Sequence, residues 1–427
     1  MTKYNRPKHP LPEPLRGAEL GTFAHLTVSE RMPRIGRQVL AENDFPPAVV
    51  SRLETLIADL PSGRVRPLED AAAPDASDWD GYVRPYLGQN WLQVPWFFAE
   101  SYYYRRILEA TGYFRPGPLH GVDPYLNQKR LALEAARPAI RMLAKELDPA
   151  LRKPTADRRR EADAIRRLMV KNVWGNQADL SIWSMSDEDR PDHQALDQQQ
   201  AHLLVDDTAT VIDRLLKPGG QPKRVDFILD NFGPELAYDI GLADYLLSTN
   251  TAGSVRFHAR AHPTFVSDTL IKDIHFAVSD LSSCEDPHVR ALGARLKEHL
   301  RTSRLQLAND FFWTSPCSFW EMPERIRQEL AGADLVISKG DYNYRRLTGD
   351  RHWPSTTPFA DVVGYFPAPL VILRVLKSET ILGLRPGKAE ALDKQDPGWL
   401  VNGKWGVIQL FRLQKMIPSR IPSLSIC

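Results

Sequence analysis

Four short apolar runs in this sequence each end in residues that can do chemistry. Val225-Asp226-Phe227-Ile228-Leu229 runs into Asp230-Asn231, with Glu235 close behind. Val255 to Ala261 is followed by Ser267-Asp268. Leu335-Val336-Ile337 leads to Lys339-Gly340-Asp341-Tyr342-Asn343-Tyr344-Arg345, and Leu370-Val371-Ile372-Leu373 to Arg374-Val375-Leu376-Lys377. Asp230, Asn231 and Asp268 are hard oxygen ligands, suited to Mg²⁺ or Mn²⁺ and not to a thiolate-seeking metal. An ion with open positions can hold a phosphate oxygen and a water. Lys339, Arg345 and Lys377 can neutralise the remaining phosphate charge, the arginine as a fork and the lysines as point charges. Gly340 lets the backbone come close to a ligand. Asp341 can hold a sugar hydroxyl or position a water. The chemistry this set describes is phosphoryl transfer to water, with Asp230, Asp268 and Lys377 as the expected catalytic residues.

Four separate segments reach one cleft only if a fold gathers them. The apolar runs are short, rich in β-branched residues, and alternate with the helical stretches Leu236 to Leu247 and Thr269 to Leu281. That pattern predicts an α/β fold, a doubly wound and mostly parallel sheet with helices on both faces. In such a sheet the carboxyl ends of the strands line one crevice, where ligands bind. The first half reads as helices instead. One runs from a Ser29 cap to about residue 42, and one covers Val94 to Ala110 with Trp96, Ala99, Tyr103 and Ile107 on a face. Others run from Asp123-Pro124 to about Leu147, disturbed near Pro138, then over 156–173 and 201–216. The expected layout is a disordered segment at 1–20, a helical domain at 21–217, an α/β phosphatase domain at 221–415 and a tail at 416–427. Pro-Gly-Gly at 218–220 is the seam.

Composition narrows the partners. A net charge of +2 over 427 residues gives no global field for nucleic acid or a membrane surface. The Arg158-Arg159-Arg160 run sits among Asp157, Glu161 and Asp163, as on a solvated helix face. Three cysteines, Cys284, Cys317 and Cys427, form no CxxC pair, which argues against a disulfide framework or a cysteine zinc site and for a reducing compartment. The opening MTKYNRPKHPLPEP has no apolar stretch of a signal peptide, and no run is long enough to span a bilayer. The expectation is a cytoplasmic protein that binds a small phosphorylated metabolite.

Blander readings exist for several of these residues. Asp230-Asn231 alone is a common turn and helix cap. His258-x-x-x-His262 has a zinc-like spacing but runs into Pro263, off a helix, and reads as structural. Tyr102, Tyr103, Tyr104 and Trp96 read as core. Glu100 fits the cleft or an interhelical contact equally. Asn176 and Asp179 can reach substrate, or Asp179 can cap a helix. No Gly-x-Gly-x-x-Gly motif supports a dinucleotide site.

The sequence also resembles a known family, the damage-control phosphatases, or domain-of-unknown-function 89 proteins. It is similar to the subfamily of sugar-phosphate phosphatases and animal acidic residue methyltransferase 1. The segments that carry the resemblance are FILDNFGPELAYDIGLADYLL (227–247), HARAHPTFVSD (258–268), ADLVISKGDYNYRRLTGD (333–350) and WLVNGKWGVIQL (399–410). VPWFFAESYYYRRIL (94–108) and WGNQADLS (174–181) add to them. The resemblance implies metal ligation by Asp230, Asn231 and Asp268, and substrate contacts from Asp341, Tyr342, Asn343, Tyr344, Arg345 and Lys377. It implies Mn²⁺ first as cofactor, with Mg²⁺, Ni²⁺ or Co²⁺ as alternatives, and hexose phosphates such as fructose 1-phosphate or fructose 6-phosphate as substrates. Glu235 matches a position of the methyl-donor site in the animal protein. Two positions depart from the subfamily pattern. Arg-Thr-x-Lys reads Arg374-Val375-Leu376-Lys377 here, and the lysine two residues after His258 is Arg260.

The leading expectation is therefore a metal-dependent phosphatase. An S-adenosylmethionine-dependent protein-glutamate O-methyltransferase comes second, because methyl transfer needs no divalent ion flanked by cations. A non-catalytic binding protein comes third, since it has no need of oxygen ligands and cations at strand ends.

Overall fold

The computed structural model describes residues 6–152, 157–175, 196–217 and 222–413. Seven strands form one sheet: β1 (Leu203–Asp206), β2 (Arg224–Ile228), β3 (Ser254–Arg260), β4 (Leu305–Asp310), β5 (Leu335–Lys339), β6 (Leu370–Val375) and β7 (Gly406–Phe411). Their order across the sheet is β1-β7-β6-β5-β2-β3-β4. β2 to β6 pair in parallel; β7 runs antiparallel to β6, and β1 parallel to β7.

Period-two alternation divides the strand residues between two cores. Val225, Phe227, Leu335, Ile337, Val371 and Leu373 face one layer, built by the helices Leu126–Arg152, Arg158–Trp174, Pro234–Ser248, Ile271–Ser283 and Pro287–Arg301. Ile228, Val336, Leu370 and Ile372 face the other, with the helices Glu324–Ala331, Gly340–Thr348, Phe359–Val363 and Lys388–Gln395. Burial on both faces explains why these strands read as apolar runs. A third core joins the N-terminal helices around Trp79, Trp91, Trp96, Tyr102, Tyr103 and Tyr104, so these aromatics are core. Among the described residues no helix is long and apolar enough to cross a membrane.

The layout differs from expectation in several places. Ser29 is not a cap: it lies inside the π-helical turn Thr27–Arg31, and Thr22 caps the helix ahead of it by accepting from His25 N–H at 3.1 Å. The helix Leu126–Arg152 runs through Pro138 without a break. The stretch 201–216 is not one helix. It splits into β1 and the helix Thr208–Leu215, and Asp206 marks the break by accepting from the Thr208 N–H at 3.0 Å. The partition into 21–217 and 221–415 is crossed by the sheet itself: β1 joins it, and the helices Leu126–Arg152 and Arg158–Trp174 form part of its cover. Residues 6–20 are tied down where disorder was expected. Leu15 is buried, its N–H donates to the Asp350 carbonyl at 2.9 Å and its carbonyl accepts from Trp96 at 2.8 Å. The seam at 218–220 and the tail at 416–427 lie outside the described residues.

Candidate active site at the strand ends

The segments following β2 and β3 are knitted together by the backbone. Thr269 N–H donates to the Asp230 carbonyl at 2.8 Å, Phe232 N–H donates to Ser267 at 2.7 Å, and Asn231 and Asp268 form an isolated antiparallel bridge. Asp230, Asn231 and Asp268 are thus brought to one place, all three buried. The loop before Asp268 turns through Phe265 at φ 44° and Val266 at φ 66°. A β-branched residue resists that conformation, so tertiary packing must hold it. The Phe265 ring provides the hold, set against Tyr104 and Tyr342 with centroids 4.6 Å away in each case.

β5 brings up the next group. Gly340 sits at φ +73° against the Asp230 carboxylate, and a Cβ there would meet Oδ2 at 1.8 Å. Lys339 is fully buried, donating to Glu235 Oε1 at 2.8 Å and lying 3.3 Å from Asp239 Oδ1. Burial opposes its charge, but Asp239 and Glu235 outweigh burial and hold the ammonium above its ordinary pKa. Burial pushes the Asp239 carboxyl the other way, up to about 7, although Lys339 pulls against it. Glu235 also accepts from Asn231 Nδ2 at 3.0 Å, and Ser267 Oγ donates to Asn231 Oδ1 at 2.6 Å. Lys339 and Glu235 therefore orient the Asn231 amide from behind.

Asp341 follows at the helix start. Its Oδ1 accepts from the Arg374 guanidinium at 2.7 Å, from Lys377 N–H at 3.2 Å and from Ser378 Oγ at 3.1 Å. The end of β6 is thereby fastened to the end of β5, and buried Lys377 comes with it. Arg260, at the end of β3, donates through Nη2 to Asp230 Oδ1 at 3.1 Å and through Nε to Asp268. Its Nη1 reaches Asn343 Oδ1 at 3.2 Å, and the guanidinium lies 4.0 Å over the Tyr342 ring.

Several expected substrate contacts are occupied elsewhere. Asn343 is fully buried and donates to the carbonyls of Leu229 at 3.0 Å and Lys339 at 2.8 Å, tying β2 to β5. Tyr344 accepts from Leu382 N–H at 3.0 Å and stacks under Arg374. Tyr342 donates to the Trp313 carbonyl at 3.2 Å among Phe97 and Phe265. Arg345 does not serve the carboxylates of the cleft. It pairs with Glu100 at 2.5 Å and Asp350 at 2.9 Å and lies 3.7 Å over Trp96. The reason is helical: five consecutive residues of a helix cannot all face one side. Asn176 and Asp179 lie outside the described residues. His258 bonds to Asp226 at 3.0 Å and His262 to the Pro263 carbonyl at 3.1 Å, so they serve separate structural contacts. Val375, where the subfamily pattern has a hydroxyl, packs in the core with Leu373 and Ile408.

Among the described residues no three His, Cys, Asp or Glu side chains gather around one point. An ion here would draw on two carboxylates and an amide oxygen. That set fits a hard divalent cation: the donors are oxygen throughout, they are buried, and three ligands leave positions open.

The likeness to known proteins covers most of the chain. The model of the damage-control phosphatase ARMT1-like domain matches residues 27–392. The chain belongs to the damage-control phosphatase ARMT1-like family. Damage-control phosphatase ARMT1 of Danio rerio is 33% identical over 437 residues, covering 93% of this chain and 96% of that protein. The Xenopus tropicalis protein of the same name is 33% identical over 428 residues, covering 91% and 96%. A crystal structure of a DUF89 family protein from Pyrococcus horikoshii aligns with a TM-score of 0.44 and 15% identity, covering 89% of this chain and 95% of that one.

In this damage-control phosphatase ARMT1-like chain, sequence reasoning left out the residues that back the site. Asp239 was in reach, because it lies four residues after Glu235 and so on the same helix face. Asn172, whose Nδ2 donates to Asp239 at 2.9 Å, and Ser378 carried no local signal.

Proposed function

We propose that this chain is a metal-dependent phosphoric monoester hydrolase acting on small phosphorylated metabolites, with hexose phosphates such as fructose 1-phosphate or fructose 6-phosphate as the substrate class. The observation that carries the reading is the meeting of Asp268, Asp230, Asn231, Asp341 and Lys377 where β3, β2, β5 and β6 end. Relatives named damage-control phosphatase support it from a second direction.

Asp230, Asn231 and Asp268 would hold the divalent ion, Mn²⁺ first. Bound there, the ion supplies a Lewis acid for a phosphoryl oxygen and a seat for the nucleophile. The protein's part is positioning and charge. Glu235 and Ser267 fix the amide of Asn231. Lys377 neutralises charge on the phosphoryl oxygens, the kind of contribution that matters most when it strengthens in the transition state. Asp341, with Oδ1 occupied by Arg374, Lys377 and Ser378, offers Oδ2 to a sugar hydroxyl. The ester P–O bond breaks, the oxygen of water ends on phosphorus, and the leaving alkoxide takes a proton.

The test is phosphate release from fructose 1-phosphate and fructose 6-phosphate, with excess chelator and after Mn²⁺ is restored, beside a methyl-transfer assay with S-adenosylmethionine. Chelation should abolish hydrolysis and Mn²⁺ should bring it back. Full activity in chelator removes the metal from the reading. Methyl transfer without phosphate release replaces the reading altogether.

A further inference from the structure

We propose that Arg260 is a built-in counter-cation that competes with the divalent ion for Asp230 and Asp268 and so sets the affinity of the metal site. The inference rests on the metal-dependent reading above.

The contacts are those of a fork. Nη2 lies 3.1 Å from Asp230 Oδ1 and Nε donates to Asp268 Oδ2, so one guanidinium spans two carboxylates from different loops. The residue is held there from three other sides. Its N–H donates to the Thr269 carbonyl at 2.9 Å, Nη1 reaches Asn343 Oδ1 at 3.2 Å, and the Tyr342 ring lies 4.0 Å below its plane. Arg260 and Asp268 are each 1% exposed and Asp230 is 3% exposed. Two carboxylates at that depth need compensating charge, because desolvation of an unpaired ion costs several kcal/mol. Arg260 supplies part of it permanently.

Two consequences follow for the ion. It meets a carboxylate pair already partly neutralised, and it sits near a fixed positive charge that it must displace or tolerate. A lysine at this position would present a compact point charge without the planar fork, so it would hold the two carboxylates in a less fixed geometry. Arginine here therefore trades ion affinity for a cluster that holds together without the ion.

The experiment measures Mn²⁺ affinity directly, by electron paramagnetic resonance of free Mn²⁺, for the full-length wild type, Arg260→Met, Arg260→Lys and the control Arg256→Met. Arg256 lies four residues back on β3 and pairs with Glu329 and Gln306. Arg260→Met should bind Mn²⁺ on the order of tenfold more tightly than wild type, with Arg260→Lys between them and Arg256→Met unchanged. Melting temperatures taken with and without Mn²⁺ should show a larger metal-induced rise in Arg260→Met than in wild type. Arg260→Lys decides the matter if the methionine variant does not fold without the ion. Equal or weaker binding by the folded Arg260 variants overturns the inference while leaving the metal site in place. Absence of Mn²⁺ binding by wild type overturns the metal-dependent reading itself, and this inference with it.

Discussion

Gly340 and the Asp230 carboxylate touch so closely that a Cβ on Gly340 would lie 1.8 Å from Oδ2. The contact joins the end of β5 to the end of β2, and the +73° φ of Gly340 is what turns the backbone inward there. Gly340→Ala should therefore strike twice. A side chain in left-handed backbone costs roughly 1–2 kcal/mol, and the overlap forces Asp230 out of position. The expected result is a folded protein whose Mn²⁺ affinity falls at least about tenfold, a displacement of the size that loses one good ligand contact. Mn²⁺ titration beside circular dichroism checks it. Unchanged affinity would mean that Asp230 is not a ligand.

Arg345 gives a contrasting case. It lies among Glu100, Asp350 and Trp96, all in the packing between the N-terminal helices and the helix Gly340–Thr348. Burial raises the Glu100 carboxyl above its ordinary value, more than Arg345 pulls it down. Removing Arg345 takes the shared cation from two buried carboxylates, and losing the partner of a buried ion costs about 3–5 kcal/mol. Arg345→Met should lower stability by about that amount in urea unfolding, with kcat per folded molecule nearly unchanged. A large fall in kcat in the still-folded variant would return Arg345 to the cleft.

What could be read in advance follows from burial. β2, β3, β5 and β6 were legible because both faces are covered, which makes their residues apolar and β-branched in short blocks. β1 was not, since Leu203–Asp206 is a four-residue edge strand whose identity depends on pairing with β7. β4 is an edge strand as well, and Gln306, Asn309 and Asp310 mask it. The ends of the strands pointed to Asp230, Asn231 and Asp268 because chain order alone brings strand termini together. In sequence, Asp341 to Arg345 is one polar run, and all of it is a candidate to face the ligand. Once it is a helix, Asp341 keeps the cleft side, Asn343 turns beneath β2 and Arg345 is carried a turn away to Glu100. Periodicity could have separated these roles; the partners could not have been guessed.

His262 makes acid stability testable. It is fully buried, with Nδ1 on the Pro263 carbonyl at 3.1 Å and Nε2 3.5 Å from Asp75. Burial lowers its pKa to about 4 from an ordinary 6.5, more than Asp75 raises it. Between those two values the unfolded chain binds a proton that the native protein does not, so the histidine's contribution to stability is present above about pH 6.5 and is lost as pH falls toward 4. His262→Gln has no proton to gain. The stability gap between wild type and this variant should shift against wild type by on the order of 2–3 kcal/mol from pH 7 to pH 4. Guanidinium unfolding at both pH values measures it, and a gap that does not move would show that His262 is charged in the native protein.

Lys377 carries the sharpest test of the proposed chemistry. Its backbone N–H donates to Asp341 Oδ1 at 3.2 Å, the same oxygen that takes Arg374 and Ser378, so its backbone is anchored at the junction of β5 and β6. Removing the ammonium should therefore leave the backbone in place. A donor aimed at transition-state charge contributes on the order of 3 kcal/mol, or 10²–10³ in kcat. Lys377→Ala should lose that much turnover at saturating Mn²⁺ and substrate, with Mn²⁺ affinity nearly intact. Asp268→Asn should behave the opposite way, weakening Mn²⁺ binding first, because it removes a charged ligand. Metal titration of both variants, with phosphate release as the readout, separates the two roles. If Lys377→Ala turns over near the wild-type rate under saturation, this lysine does not touch the phosphoryl group, and the phosphate contacts must come from a different strand end.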